Sequence, residues 1–167
     1  MPFKIPAAHY GGDSLVRFQF KNGFFQQVLP GGTASAKEWA GQNAVAAYGS
    51  DQSNRCSIES IENSFPVIIS HSHIRHNSAG KGKLPAGHGL SRRYELLENA
   101  LVHVITERAI SRPFGLFGGV PGAAHETLLS QAEEKNKLIT DKCCFELKAG
   151  DSLIINTAGG GGWGKSS

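Results

Sequence analysis

Glycine and proline interrupt this sequence so often that few stretches are long enough for a helix. Together, 21 Gly and 7 Pro make up about a sixth of the 167 residues, against roughly 12% in average usage. The intervals between them hold short apolar or alternating runs, which favour strands. We therefore expect one mainly β domain over residues 1–167, a sandwich or barrel-like unit of about eight short strands with Gly-rich loops and little helix.

The first predicted strand is residues 14–20, in which Val16, Phe18 and Phe20 lie on one face. The opposite face holds Leu15, Arg17 and Gln19, so the strand is expected to be half-buried. Lys21-Asn22-Gly23 is a turn signal, and residues 24–29 form the returning strand of a hairpin. Residues 33–48 are interpreted as a loop with one weak helical turn, residues 57–63 are assigned no element, and a polar connector precedes residue 137. The further predicted strands are residues 65–74, 90–96, 101–107, 127–129, 137–140, 143–147 and 152–157.

Charge and cysteine content limit the partners and the compartment. The sequence has 17 Lys and Arg against 14 Asp and Glu, and its longest basic run is the pair Arg92-Arg93, so we expect no nucleic-acid partner. No apolar stretch approaches the roughly 20 residues that cross a bilayer, so we expect no membrane partner. Cysteine occurs three times, and Cys143 and Cys144 are adjacent, which is a poor arrangement for a disulfide. These features favour a reducing cytoplasm.

A nucleotide-binding loop is suggested by residues 159–166, which match the pattern G-x-x-x-x-G-K-[ST]. Such a loop uses the N-terminus of a following helix to bind phosphate. Since the sequence given ends one residue after Ser166, we expect a Gly-rich terminal turn instead.

Histidines suggest a second site. His71 and His73 lie two apart in a predicted strand and so share a face, with His76 in the following turn, which makes a metal site one interpretation. No carboxylate ligand lies nearby in the sequence, and surface histidines without a metal are the favoured interpretation. Because no nucleophile motif is present, we predict no catalytic residue.

Three ordered segments carry a resemblance to a known family. Residues 77–90 (NSAGKGKLPAGHGL), 112–122 (RPFGLFGGVPG) and 148–164 (KAGD, then NTAGGGGWG) are similar to the D-S-G-G-A-G-x-x-R-G-G-x-G, R-P-W-G-L-x-G-G-x-P-G and L-x-P-G-D…T-P-G-G-G-G-[YW]-G-D-P segments of the hydantoinase B and 5-oxoprolinase family. The resemblance is clearest over residues 58–164. It also replaces the nucleotide-loop interpretation. The sequence departs from the family pattern at Ala79, at Pro85-Ala86, at Phe114, and at Lys165-Ser166, which stands in place of Asp-Pro.

The resemblance implies a role in ATP-dependent opening of a cyclic amide such as a hydantoin, oxoproline or another lactam. Family subunits are several hundred residues long, so the chain is expected to be a C-terminal fragment or split piece. Its implied partners are the missing N-terminal portion and an ATP-binding hydantoinase A-type subunit, and it could also form a homo-oligomer. The family reaction uses ATP with Mg and a divalent metal, which are implied to lie on those other parts, so we expect no cofactor on this chain. A component of a ketone carboxylase and a non-catalytic β-rich binding module are the alternatives.

The same resemblance places the Gly-rich loops at an interface or on the substrate side. Gly118, Gly119, Gly160 and Gly161 could adopt positive φ and let another segment or subunit approach closely. Arg112 could pair with a carboxylate or phosphate there, or form a structural salt bridge. We also expect exposed apolar side chains on the strands, where the rest of a larger subunit would dock.

Overall fold

The structure is a computed structural model that describes residues 5–12, 14–46, 56–131, 134–140 and 142–166. These residues form nine strands and one short helix, which confirms the prediction of a mainly β fold with little helix. The described helix is too short to cross a membrane. In chain order the elements are β1 (Ser14–Phe20), β2 (Gly23–Leu29), α1 (Ile58–Ser64), β3 (Val67–Ile74), β4 (Leu90–Leu96), β5 (Ala100–Ile105), β6 (Glu126–Gln131), β7 (Glu134–Ile139), β8 (Cys143–Leu147) and β9 (Ser152–Asn156).

The strands form two antiparallel sheets that stay open at their edges. The first sheet has the order β2-β1-β5-β8, and the second has the order β3-β4-β9-β6-β7. Of the two predicted alternatives, the sandwich is therefore observed and the closed barrel is not. Long connections are needed because neighbours such as β1 and β5 are far apart in the sequence.

A single hydrophobic core lies between the two sheets. Alternating side chains of β1 and β4 point into it, and the ring centroids of Phe18 and Tyr94 lie 4.9 Å apart across the core. Tyr94 is fully buried, and its hydroxyl donates a hydrogen bond of 2.5 Å to Gln27 Oε1. Burial raises the pKa of this phenol far above its ordinary value. The tyrosine thus links the two sheets and stays protonated.

Two elements differ from the sequence prediction by more than one or two residues at a strand end. α1 occupies residues that had been assigned no element; Ser57 caps it by accepting a hydrogen bond of 3.2 Å from the Ser60 amide. β7 includes part of the predicted polar connector, because an edge strand tolerates polar residues on its solvent side. The helical turn predicted within residues 33–48 is absent from residues 33–46, and residues 47 and 48 lie outside the described part.

The long connections all leave the same end of the sandwich. The turns at residues 21–22, 97–99 and 148–151 close the opposite end. Thr157, after β9, donates a hydrogen bond of 2.8 Å to the Pro30 carbonyl, after β2, so the two sheets meet at this end. We call it the loop end. Its segments are residues 5–12, 30–46, 75–89, 106–125 and 157–166.

Candidate functional site

A strip of four glycines runs through the centre of the loop end. Residues 159–162 are all buried, and each amide donates a hydrogen bond of 2.8–3.2 Å to a different part of the chain. The acceptors are the carbonyl groups of Ala123, Gly87, Ala8 and Val120. We call this strip, together with residues 78–89 and 112–122, the glycine junction. Because its amides are already bonded, residues 159–162 cannot wrap around a phosphate, and the nucleotide-loop interpretation does not fit the structure.

Glycine is required in this strip by close backbone approach. A Cβ atom at Gly160 would overlap the Thr33 carbonyl group, and one at Gly161 would overlap that of Phe114. Neither glycine has a positive φ. The sequence led us to expect positive φ at these positions, but of the four loop glycines Gly118, Gly119, Gly160 and Gly161 only Gly118 has one, at +89°. The contacting segments here belong to the same chain.

The predicted interface residues are divided between the surface and the interior. Gly160 and Gly161 are buried, Gly119 is half-buried, and Gly118 and Arg112 are exposed. The Arg112 Nε donates a hydrogen bond of 2.9 Å to the Gly122 carbonyl, which closes the loop between them. No ion pair of Arg112 is present among the described residues. The interface role of these five residues stays a prediction.

Arg75 links three segments of the loop end and was missed by sequence analysis. Its Nη2 forms an ion pair of 2.6 Å with Glu126, and its Nη1 donates to the carbonyl groups of Ala124 at 2.6 Å and Thr157 at 3.2 Å. Burial lowers the pKa of Arg75, and the Glu126 carboxylate opposes that shift. The arginine follows β3, while its partners lie beside β6 and β9. No local motif marks such a residue, because its partners are distant in sequence.

His125 joins the two sheets beside Arg75. Its ring hydrogen-bonds with Ser14 Oγ at 3.1 Å and with Thr127 Oγ1 at 3.0 Å, so one partner lies on β1 and the other on β6. Burial, and secondarily the charge of Arg75, lowers the pKa of His125 to about 4. The imidazole is therefore neutral at pH 7 and serves as a structural hydrogen-bonding group.

The candidate metal-binding histidines do not come together as a set. The rings of His71 and His73 lie 4.8 Å apart, whereas His76 lies beside His88 at 6.3 Å. Burial, followed by the charge of His73, lowers the pKa of His71. No group of three or more His, Cys, Asp or Glu residues suited to a metal ion occurs in the described part of the chain. Two imidazoles alone do not form a closed or catalytic zinc site.

A comparison with protein families shows which family the chain belongs to. The family model described as hydantoinase B/oxoprolinase matches residues 1–166. The chain belongs to the hydantoinase B/oxoprolinase family. The family resemblance seen in the three Gly-rich segments is thereby confirmed, and the glycine junction is where this hydantoinase B/oxoprolinase chain brings those segments together.

Relatives of the chain include proteins of eukaryotes and archaea. It is 30% identical over 141 residues to a 5-oxoprolinase of Dictyostelium discoideum, a match that covers 84% of this chain and 11% of the relative. It is 32% identical over 163 residues to an uncharacterized protein of Methanocaldococcus jannaschii, covering 98% of this chain and 29% of the relative. The chain thus spans less than a third of the length of these curated relatives.

Two solved structures share the fold. The nucleotide-free structure of an acetone carboxylase described as ATP-dependent has a TM-score of 0.74 and 16% identity over 96% of this chain and 26% of its own. The ATP-dependent caprolactamase of Pseudomonas jessenii has a TM-score of 0.72 and 18% identity over 96% of this chain and 30% of its own. The sandwich and its loop end therefore occur within much longer chains.

Proposed function

We propose that this chain contributes to the ATP-dependent hydrolysis of a cyclic amide, as the C-terminal fragment or split piece of a hydantoinase B/5-oxoprolinase-type subunit. The observation that carries the proposal is the family match over residues 1–166 in a chain that spans only 11–30% of its relatives and structural neighbours. Oxoproline and caprolactam, which the names of two of these proteins include, are both lactams.

The catalytic groups are proposed to lie on other parts of the assembly. These are the missing N-terminal portion and an ATP-binding hydantoinase A-type subunit, which would hold ATP with Mg and a divalent metal. Two observations support this division of labour. The junction amides are bonded within the chain, and the buried His125 already has two hydroxyl partners. The chain would provide a rigid surface that positions the part of the assembly that binds the substrate or the nucleotide.

The outer face of the first sheet is proposed to dock against the missing portion. Val28 and Ile105 flank Leu15 in one cross-strand row of this face, and their side chains are 39% and 48% exposed. In the same face, Arg17 lies 3.9 Å from the ring centroid of the exposed Phe24. A mixture of apolar, aromatic and Arg side chains is typical of protein interfaces. These exposures support a larger assembly, and we propose that it operates in the cytoplasm, where the three cysteines would stay reduced.

Reconstitution tests this function. The chain is purified with its associated proteins, and substrate-dependent ATP hydrolysis is measured with hydantoin, 5-oxoproline and caprolactam, with and without the chain. We expect activity that requires the chain. Val28→Glu and Ile105→Glu should weaken assembly, whereas Leu97→Glu, an exposed apolar residue at the opposite end, should not. Unchanged ATP hydrolysis after removal of the chain would contradict the proposal.

A ketone carboxylase component is the second candidate, and the likeness to acetone carboxylase favours it. The same reconstitution distinguishes it when acetone and bicarbonate replace the lactams. A non-catalytic β-rich binding module is the third. Such a module would bind its partner, but adding or removing the chain would not change ATP hydrolysis with any substrate of the panel.

A further inference from the structure

Two lysines at the loop end line a cavity of about 370 Å³ together with a glycine and a serine. The four residues are Gly82, Lys83, Lys165 and Ser166. None of them is acidic, and both ammonium groups lack an acidic partner among the described residues. The cavity therefore carries two positive charges that are not neutralised within this part of the chain.

Backbone pairing holds the two lysines in place. Leu84 and Trp163 form an antiparallel bridge, and the Lys83 amide donates a hydrogen bond of 3.0 Å to the Gly164 carbonyl. In a regular strand pair, successive side chains would point to opposite faces. Lys83 lies opposite Gly164, so Lys165, one residue further, would point to the other face. Gly164 has a φ of +76°, which interrupts this alternation, and both lysines line the same cavity.

Glycines create the space beside each lysine. A Cβ atom at Gly164 would lie 3.1 Å from the Lys83 Cβ, and one at Gly118 would lie 3.3 Å from the Lys165 Cβ. At Gly82 a Cβ would lie 2.6 Å from the Trp163 carbonyl oxygen. The stems of both lysines thus pack against backbone that has no side chain, and both lysines are exposed to solvent.

We propose that this cavity binds a phosphate group. Two ammonium groups close to one cavity repel each other, and a bound anion would relieve that repulsion. Lysine binds phosphate as a point charge, whereas planar carboxylates are better matched by the fork of arginine, which the cavity lacks. The Ser166 hydroxyl adds a neutral donor. This site uses side-chain cations, and it differs from a nucleotide-binding loop, whose backbone amides are already bonded here.

A titration of the ¹⁵N-labelled full chain with inorganic phosphate, at constant ionic strength, tests the site. We expect saturable shifts of the Gly82, Lys83 and Lys165 amide signals. Each of Lys83→Gln and Lys165→Gln should weaken binding about tenfold, the cost of one charge-assisted hydrogen bond, and a double variant that combines them should weaken it further. The matched control is Lys21→Gln with Lys148→Gln, which removes the same net charge from exposed turns at the opposite end. The control should keep the affinity of the unaltered chain.

Three further ligands identify what the cavity recognises. Acetate should bind more weakly than phosphate, and tripolyphosphate should bind as tightly as ATP. The proposal is overturned by non-saturable shifts, by equal losses in the control and the double variant, by equal affinity for acetate, or by tighter binding of ATP than of tripolyphosphate. It does not rest on the proposed function, because binding is measured on the chain alone and needs no partner.

Discussion

Two glycines, one in the glycine junction and one in the turn at the opposite end of the sandwich, are required for different reasons. Gly160 has ordinary φ but no room for a Cβ atom, whereas Gly150 has a φ of +89° and nothing within 4 Å of the added carbon. The sequence identified the segments rich in glycine, because their patterns are local. It could not separate these two requirements, since the carbonyl that blocks Gly160 belongs to Thr33, far away in the sequence.

These two glycines give a matched pair of substitutions. Gly160→Ala should lower the free energy of unfolding by about 3 kcal/mol, because buried backbone must move to admit the methyl group. Gly150→Ala should cost about 1 kcal/mol, the strain of positive φ alone. Urea denaturation measures both values. Equal losses of unfolding free energy in the two variants would show that close backbone approach is not the reason why glycine is required at position 160.

His125 makes stability depend on pH. In the unfolded chain its pKa returns to about 6.5, above the value of about 4 in the folded state, so acid favours unfolding. The stabilisation is fully present above pH 6.5 and is lost as the pH falls towards 4, by about 3 kcal/mol at most. His125→Gln should flatten this part of the stability profile, and the exposed His76→Gln should leave it unchanged. Urea midpoints between pH 4 and pH 8 measure the effect.

At the scale of elements, local patterns predicted best the strands in which apolar residues alternate with polar residues or cluster together. β1, β4 and β8 have the bounds expected from the sequence, since apolar residues alternate or cluster there. α1 was missed because seven residues are too few to show a helical period. The first half of β7 was missed because its polar sequence resembles a connector, whereas its second half lies in the predicted strand 137–140. The pairing of β9 between β4 and β6 is set by long-range contacts and has no local signal.

Arg75 determines how the ends of three elements meet. Arg75→Met should reduce stability by about 2–3 kcal/mol, because the carbonyl groups of Ala124 and Thr157 lose a charged donor. Amide hydrogen exchange of residues 157–160 should accelerate. Arg93→Met is the control, since Arg93 pairs at 3.2 Å with Glu95 in a half-exposed position where a salt bridge contributes about 1 kcal/mol or less. The control should leave exchange at the loop end unchanged.

At the scale of the whole molecule, the loop end and the sandwich form one structural unit. Hydrogen bonds from residues 159–162 reach segments that adjoin strands of both sheets, and Thr157 joins the ends of β2 and β9. The order of the Gly-rich segments and the family were predictable from the sequence. Their convergence on one buried strip was not, because it depends on how the two sheets stack.

This unit should unfold in one step. In a Trp39→Phe variant, the fluorescence of Trp163 reports on the loop end, and far-ultraviolet circular dichroism reports on the sheets. We expect the same urea midpoint from both signals. Trp39 is 52% exposed, so its replacement should not itself change the midpoint. An earlier fluorescence transition would show that the loop end opens separately.

The central place of β9 in the second sheet has a consequence for synthesis of the chain. β4 and β6 both need β9 as a neighbour, and residues 159–162 complete the loop end afterwards. A ribosome that has not yet passed residue 140 therefore holds strands with unpaired edges and a core open on one side. Until residue 162 has emerged, these unpaired edges and the open core are the surfaces through which the nascent chain can aggregate.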